Sequence, residues 1–308
     1  MDTINGKLGA ATHPAAPSAG NRLLGLAEWA LEMLAQGALG IRDLCRLYRG
    51  ESYLYRPRPD DIFVVSYPKS GTTLMQMILH QLKTRGEVDF THITNVSPWY
   101  EMELILNSPQ NLEVPSPRVF KSHLRYRNLP REGRVIYMLR DPRDVALSAY
   151  HHVGLMTGRE PNREAFIRDF ILGRSPFRSW FKHIKSWWPH RNDPNVLFVR
   201  FEEVVADLEG TVRRVAAFCG IEVHEEDMPR ILEHCGIEFM KNHQEKFDPR
   251  TRTASLAPTQ FIRQGKAGSG REVLTQGQRE ILAKKLTELQ RRLGALEQDP
   301  LSGLFQLD

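Results

Sequence analysis

The sequence predicts an α/β fold, a mainly parallel sheet flanked by helices and built as a single domain. Three observations lead there. Short β-rich runs, Ile62-Phe63-Val64-Val65, Val119-Phe120, Val135-Ile136-Tyr137-Met138 and Val196-Leu197-Phe198-Val199, alternate with helical stretches. That alternation is what buries a parallel sheet between two helical layers. The first and third runs end in cation-bearing turns that open helices, and no linker composition divides residues 57 to 297. The chain has 308 residues. Length alone allows about two domains, so the unbroken pattern decides for one.

Composition narrows the function classes. With 42 Lys+Arg against 37 Asp+Glu, the net charge is +5, and hydrophobic residues make up 41%. These are globular proportions, neither disordered nor membrane-spanning. A net charge of +5 without a concentrated basic stripe argues against nucleic acid and leaves an anionic small molecule as its natural partner. The three cysteines, Cys45, Cys219 and Cys235, are too few for a disulfide scaffold and form no C-x-x-C pair, which speaks against structural zinc. No signal-peptide pattern is evident at the start, and a reducing cytoplasm is the expected compartment.

In chain order, residues 1–21 read as a flexible leader rich in Ala, Gly, Ser, Pro and Thr, and residues 22–50 as an N-terminal helical extension. Leu23, Leu26, Trp29, Met33, Leu34, Ile41, Leu44 and Leu47 recur at a rough helical period, with Gly37 and Gly40 bending or splitting it. Glu28, Glu32 and Gln36 interrupt its apolar stretch, which argues against a bilayer span. Its weak basic face favours packing on the body over a membrane surface. Residues 51–308 hold the α/β domain, with a long loop at 246–262 and a closing helix from Gln278 to Glu297.

The first chemistry-bearing segment is Tyr67-Pro68-Lys69-Ser70-Gly71-Thr72-Thr73-Leu74. A strand runs into it, and a helix carrying Leu74, Ile78 and Leu82 on one side runs out. A helix start offers free N–H groups and a positive dipole end. Gly71 lets the backbone approach an anion, Ser70, Thr72 and Thr73 add hydroxyls, and Lys69 adds charge. Its Lys precedes the Gly and the first glycine of a Walker A loop is missing. The second segment is Arg140-Asp141-Pro142-Arg143-Asp144-Val145-Ala146-Leu147-Ser148. Asp141 is a natural N-cap and Pro142 a natural first helical residue. Arg140 then stands at the carboxyl edge of the sheet, where open α/β folds bind ligands, and Ser148 lies two turns along the same helix face. The third is Phe261-Ile262-Arg263-Gln264-Gly265-Lys266-Ala267-Gly268-Ser269-Gly270-Arg271, whose glycines suit wrapping an anion. By itself it is equally a flexible basic loop. A base candidate is His123, just after a short strand and two residues beyond Lys121. His151 and His152 read as ordinary helix-end residues.

Together these segments resemble the cytosolic sulfotransferase family, over roughly residues 56 to 280. Smaller similarities are Arg58-Pro59-Asp60-Asp61, Ser97-Pro98-Trp99-Tyr100-Glu101 and Ser179-Trp180 through Trp187-Trp188. The resemblance implies a P-loop-like, sulfotransferase-like sheet and in-line sulfuryl transfer from 3′-phosphoadenosine 5′-phosphosulfate (PAPS) to a hydroxyl or amine. His123 becomes the general base, with Lys69 neutralising the leaving phosphate oxygen and Lys121 supporting it. Ser70, Gly71, Thr72 and Thr73 hold the 5′-phosphate. Arg140, Ser148 and Arg263 grip the 3′-phosphate, with Gln264 and Gly265 in the same loop. Leu74 and Phe201 stand at adenine-contacting positions. Trp99 and Tyr100 line the acceptor pocket, with Phe177, Phe181 and Met156 as further candidates, and the acceptor is a small hydrophobic or aromatic alcohol. No metal is implied.

The sequence departs from the family at the base. Leu74 replaces a Trp, Phe201 a Tyr, Cys235-Gly236-Ile237 a Thr-Ser-Phe segment, and Gly270 a Trp. The family's dimerisation motif survives only loosely as Arg271, Thr275-Gln276 and Glu280, which leaves a homodimer open. Two other readings stand beside the leading one. One is a P-loop nucleotide kinase or NTPase. The other is a non-catalytic nucleotide- or membrane-surface-binding protein on a degenerate sulfotransferase scaffold.

Overall fold

The computed structural model describes residues 56–105, 109–251 and 260–294. The leader, the helical extension, part of the 246–262 loop and the end of the predicted closing helix lie outside the described residues. Four strands, β1 (Ile62–Ser66), β2 (Val119–Ser122), β3 (Arg134–Leu139) and β4 (Val196–Arg200), form a parallel sheet in the order β2-β1-β3-β4. The described helices are α1 (Thr72–Thr84), α2 (Ile93–Val96), α3 (Tyr100–Ile105), α4 (Pro142–Thr157), α5 (Arg163–Ile171), α6 (Trp180–Trp187), α7 (Phe201–Ala206), α8 (Leu208–Cys219), α9 (Met228–Cys235), α10 (Ile237–Asn242) and α11 (Gln276–Leu293).

The period-2 alternation of the strands divides the core in two. Ile62, Val64, Val119, Ile136, Met138 and Val199 face one layer and pack with Met75 and Ile78 of α1, Val212 and Val215 of α8 and Ile231 of α9. Phe63, Val65, Phe120, Val135, Tyr137 and Phe198 face the other, against Val145 of α4, Ile167 and Phe170 of α5, Ile184 and Trp187 of α6 and Leu286 of α11. Each large apolar side chain so buried contributes about 1.5–3 kcal/mol.

β2 runs beyond the apolar Val119-Phe120 pair through Lys121 and Ser122, because β1 supplies register partners at Val64 and Val65. Pairing overrides the polar residues' weak strand preference. α11 starts at Gln276 rather than Gln278. Thr275 Oγ1 accepts from the Gln278 N–H at 3.3 Å while Gln278 Oε1 accepts from the Thr275 N–H at 3.1 Å, a capping box. At the amino edge of the sheet, Arg118 is fully buried and forks onto Asp61, with Nε–Oδ1 at 2.7 Å and Nη2–Oδ2 at 2.9 Å. The strand order reverses direction between β1 and β3, so the crevice at their carboxyl ends is where an open α/β sheet takes a ligand.

Candidate active site

At that carboxyl edge lies a cavity of about 610 Å³, a size suited to a small-molecule site. β1 leads into it through Lys69 and Gly71, both left-handed with φ of 71° and 101°. Lys69 Nζ sits 4.6 Å from the Phe261 ring centroid. Gly71 is required twice over. Its backbone conformation disfavours a side chain, and a Cβ there would stand 2.7 Å from Phe201. Thr72 turns inward, with Oγ1 2.7 Å from Ser66 Oγ.

Asp141 caps α4 as expected, accepting from the Arg143 N–H at 2.8 Å with Pro142 in the first turn. This holds Arg140 over the cavity, its guanidinium carbon 4.1 Å from the Phe201 ring centroid. Arg140 Nη1 donates to the Lys69 carbonyl at 3.3 Å and Nη2 to the Lys266 carbonyl at 3.2 Å. Its buried Nε has no hydrogen-bond partner among the described residues. Burial pushes the guanidinium pKa down, and Asp144 and Glu202 oppose that shift. The glycine loop is anchored rather than loose. Asp144, in the first turn of α4, accepts from the N–H groups of Gly268 at 2.8 Å and Gly270 at 2.6 Å. Gly270 packs so tightly that a Cβ would lie 2.2 Å from the Arg143 backbone carbon, which is why no larger residue stands there.

His123 follows β2 and borders the cavity. Its Nδ1 is 2.9 Å from the Ser66 carbonyl oxygen. A carbonyl only accepts, so Nδ1 carries the proton and, in the neutral ring, Nε2 keeps the lone pair. The His123 N–H donates to Glu101 Oε1 at 2.6 Å. Glu101 is wholly buried, and burial pushes its carboxyl pKa up. The Trp99 ring packs edge-on to His123 at 5.5 Å, and Lys121 Nζ sits 4.0 Å from the Trp99 ring centroid.

Of the predicted residues, Lys69, Gly71, Thr72, Thr73, Leu74, Trp99, Lys121, His123, Arg140, Ser148, Phe201, Arg263, Gln264 and Gly265 all border this one cavity. Ser70 and Tyr100 do not. Ser70 is buried between Lys69 and Gly71, which do border the cavity. Tyr100, expected in the acceptor pocket, packs in the core against Phe63 and Phe120, with ring centroids at 5.5 and 6.2 Å. Met156 borders the cavity, whereas Phe177 and Phe181 pack in the core behind it. His151 and His152 do not end a helix. α4 continues to Thr157, and His152, one turn after Ser148, faces the cavity. Sequence reading also missed Asp144 and Phe261. An acid in a first helical turn reads as a dipole partner, and nothing local betrays that it captures a loop 124 residues away.

The cavity wall is also apolar in part, with Leu74, Trp99, Met156, Phe201, Ile237 and Phe261 among its lining residues. Among the described residues no group of three or more His, Cys, Asp or Glu is placed to hold a metal ion, and no helix is long and apolar enough to cross a membrane. In the loose dimerisation pattern, Thr275 caps α11 and Gln276 Nε2 donates to Glu280 Oε1 at 3.3 Å.

Comparison with known proteins gives one answer throughout. A family model described as a sulfotransferase domain matches residues 59–294. The chain is 35% identical over 190 residues to sulfotransferase 4A1 of Mus musculus, covering 58% of this chain and 66% of that one. It thus spans about two thirds of that relative's length. It is 31% identical over 275 residues to luciferin sulfotransferase of Photinus pyralis, covering 77% of this chain and 73% of that one. Among solved structures it is similar to retinol dehydratase in complex with androsterone and the inactive cofactor PAP. The TM-score is 0.65 and the identity 27%, over 80% of this chain and 86% of that one.

Proposed function

The chain belongs to the sulfotransferase domain family, and on that premise we propose that it is a PAPS-dependent sulfotransferase acting on a hydrophobic alcohol or phenol. One observation carries the proposal. Lys69, Arg140 and Arg263 converge from three distant segments on the cavity that also receives His123, whose Nδ1 lies against the Ser66 carbonyl.

The residues present fit a nucleotide with an anion at each end. The buried Arg140 Nε lacks a protein partner among the described residues, and Gly71 leaves no room for a side chain. Bound PAPS supplies the activated sulfuryl group. Gly71, Thr72 and Thr73 at the start of α1, with Lys69, hold the 5′ end. Ser70, in the same turn, holds it with them. Arg140, Ser148, Arg263, Gln264 and Gly265 hold the 3′-phosphate, and Leu74 and Phe201 flank the base. Trp99 and the apolar residues of the wall bury the acceptor, an alcohol of the hydrophobic kind that androsterone, seen on retinol dehydratase, exemplifies. His123 Nε2 takes the acceptor's proton, work to which an imidazole is suited near neutrality. Lys69 and Lys121 offset negative charge, so that positioning and charge neutralisation do most of the work.

The test compares thermal stabilisation by adenosine 3′,5′-bisphosphate (PAP) with that by ADP and AMP. The 3′-phosphate compound is expected to raise Tm well above the other two. Equal shifts would overturn the donor assignment. In parallel, His123→Ala is expected to abolish transfer of labelled sulfate while leaving PAP binding intact.

A further inference from the structure

We propose that His183 is a positioning residue for His123, holding the base through its main chain; this rests on the reading of His123 given above. His183 lies in α6, on the layer opposite α1, and borders no part of the cavity. Its side chain is buried, with Nε2 3.1 Å from the His123 carbonyl oxygen and Nδ1 2.8 Å from the Tyr137 hydroxyl.

The donor directions in this chain follow from chemistry alone. The His123 carbonyl only accepts, so His183 Nε2 carries the proton. In a neutral ring Nδ1 is then an acceptor, and Tyr137 must donate to it. Burial favours that neutral ring, pulling the His183 pKa to about 3. Tyr137 is fixed in turn by its place on the central strand β3 and by stacking against Trp187, with centroids 5.2 Å apart. Trp187, one helical turn after His183, donates Nε1–H to the next carbonyl, that of Leu124, at 3.0 Å. Two side chains at i and i+4 on one face of α6 therefore hold two consecutive carbonyls, directly after the strand that delivers the base.

His123 is consequently fixed on three sides: its carbonyl by His183, its N–H by Glu101, and its Nδ1 by the Ser66 carbonyl. A displacement of about 1 Å in a catalytic group lowers turnover by about 100-fold. Loss of the His183 donor would also remove a buried hydrogen bond from the His123 carbonyl, which costs stability and lets the main chain shift. Either effect moves Nε2 away from the position that the Ser66 bond defines.

The experiment uses full-length protein carrying ¹⁵N-labelled histidine, with His183→Leu and His183→Gln compared. The Gln variant places an N–H donor close to the position of Nε2. In the parent protein the ring nitrogens are expected to report a Nδ1–H tautomer for His123 and a Nε2–H tautomer for His183, the latter unchanged down to about pH 5. His183→Leu should shift the His123 signals toward mixed tautomers and slow single-turnover transfer to 2-naphthol by about 10–100-fold. PAP affinity should stay within about twofold in both variants, because His183 lies outside the cavity. His183→Gln should restore both readouts. Unchanged His123 signals in the Leu variant, or equal losses in the Leu and Gln variants, would overturn the proposal. If His183→Leu does not fold, Tyr137→Phe removes the donor to Nδ1 and is read in the same way. The ring-nitrogen readout needs no acceptor, so it stands apart from the His123→Ala transfer assay, which judges the base assignment alone.

Discussion

Gly71 shows how much chemistry depends on one missing methyl group. Its φ of 101° and the 2.7 Å approach of Phe201 to its Cβ position make Gly71→Ala a test of the loop rather than of the core. A non-glycine residue forced into such a conformation carries about 1–3 kcal/mol of strain. PAP affinity measured by calorimetry is therefore expected to fall about tenfold or more, with the sheet intact by circular dichroism. The place of such residues at the cavity was legible because loop chemistry is local: Lys69, Gly71 and Thr72 stand between a strand and a helix start. Facing direction was not legible. Trp99 and Tyr100 are neighbours of similar character, yet Trp99 pairs alongside Lys121 and borders the cavity while Tyr100 turns into the core. Only the register against β2 separates them.

Elements are held by partners distant in sequence. α4 does two jobs, since its amino end presents Arg140 and its first-turn Asp144 captures the glycine loop at Gly268 and Gly270. Asp144→Asn keeps one acceptor and turns an amide donor toward a backbone N–H. An unsatisfied buried donor costs about 1–3 kcal/mol. PAP affinity should drop about tenfold and protease sensitivity across residues 263–271 should rise. Equal affinity with unchanged cleavage would mean that the loop orders without Asp144. The helix-initiating Asp141-Pro142 pair was readable because capping is decided within four residues. The extension of β2 through Lys121 and the anchoring of the third segment were not, because both depend on what packs alongside.

Across the whole molecule, the sheet separates stability from chemistry by edge. The amino edge carries the buried Asp61–Arg118 pair and the carboxyl edge the cavity. Breaking a buried pair from one side leaves an uncompensated charge, worth about 3–5 kcal/mol. Arg118→Met should therefore lower the urea midpoint substantially while PAP affinity of the folded protein stays within about twofold. A parallel loss of affinity would show that the two edges are coupled. The α/β class and its parallel strands were legible from the alternation of apolar runs. The order β2-β1-β3-β4, which brings the Lys69 and Arg140 segments side by side, comes only from pairing.

The bond from His123 to the Ser66 carbonyl ties this architecture to the tautomer of one histidine. Successive carbonyls in a strand point to opposite neighbours, so a one-residue slip of β1 would turn the Ser66 carbonyl away from β2. The slip would also exchange the two core faces, which makes it costly for folding as well. A misaligned sheet would thus be a protein whose histidine has lost the group that dictates where its proton sits. The apolar alternation that aligns β1 in the core is, at the strand's end, also what places the proton of a neutral His123 on Nδ1.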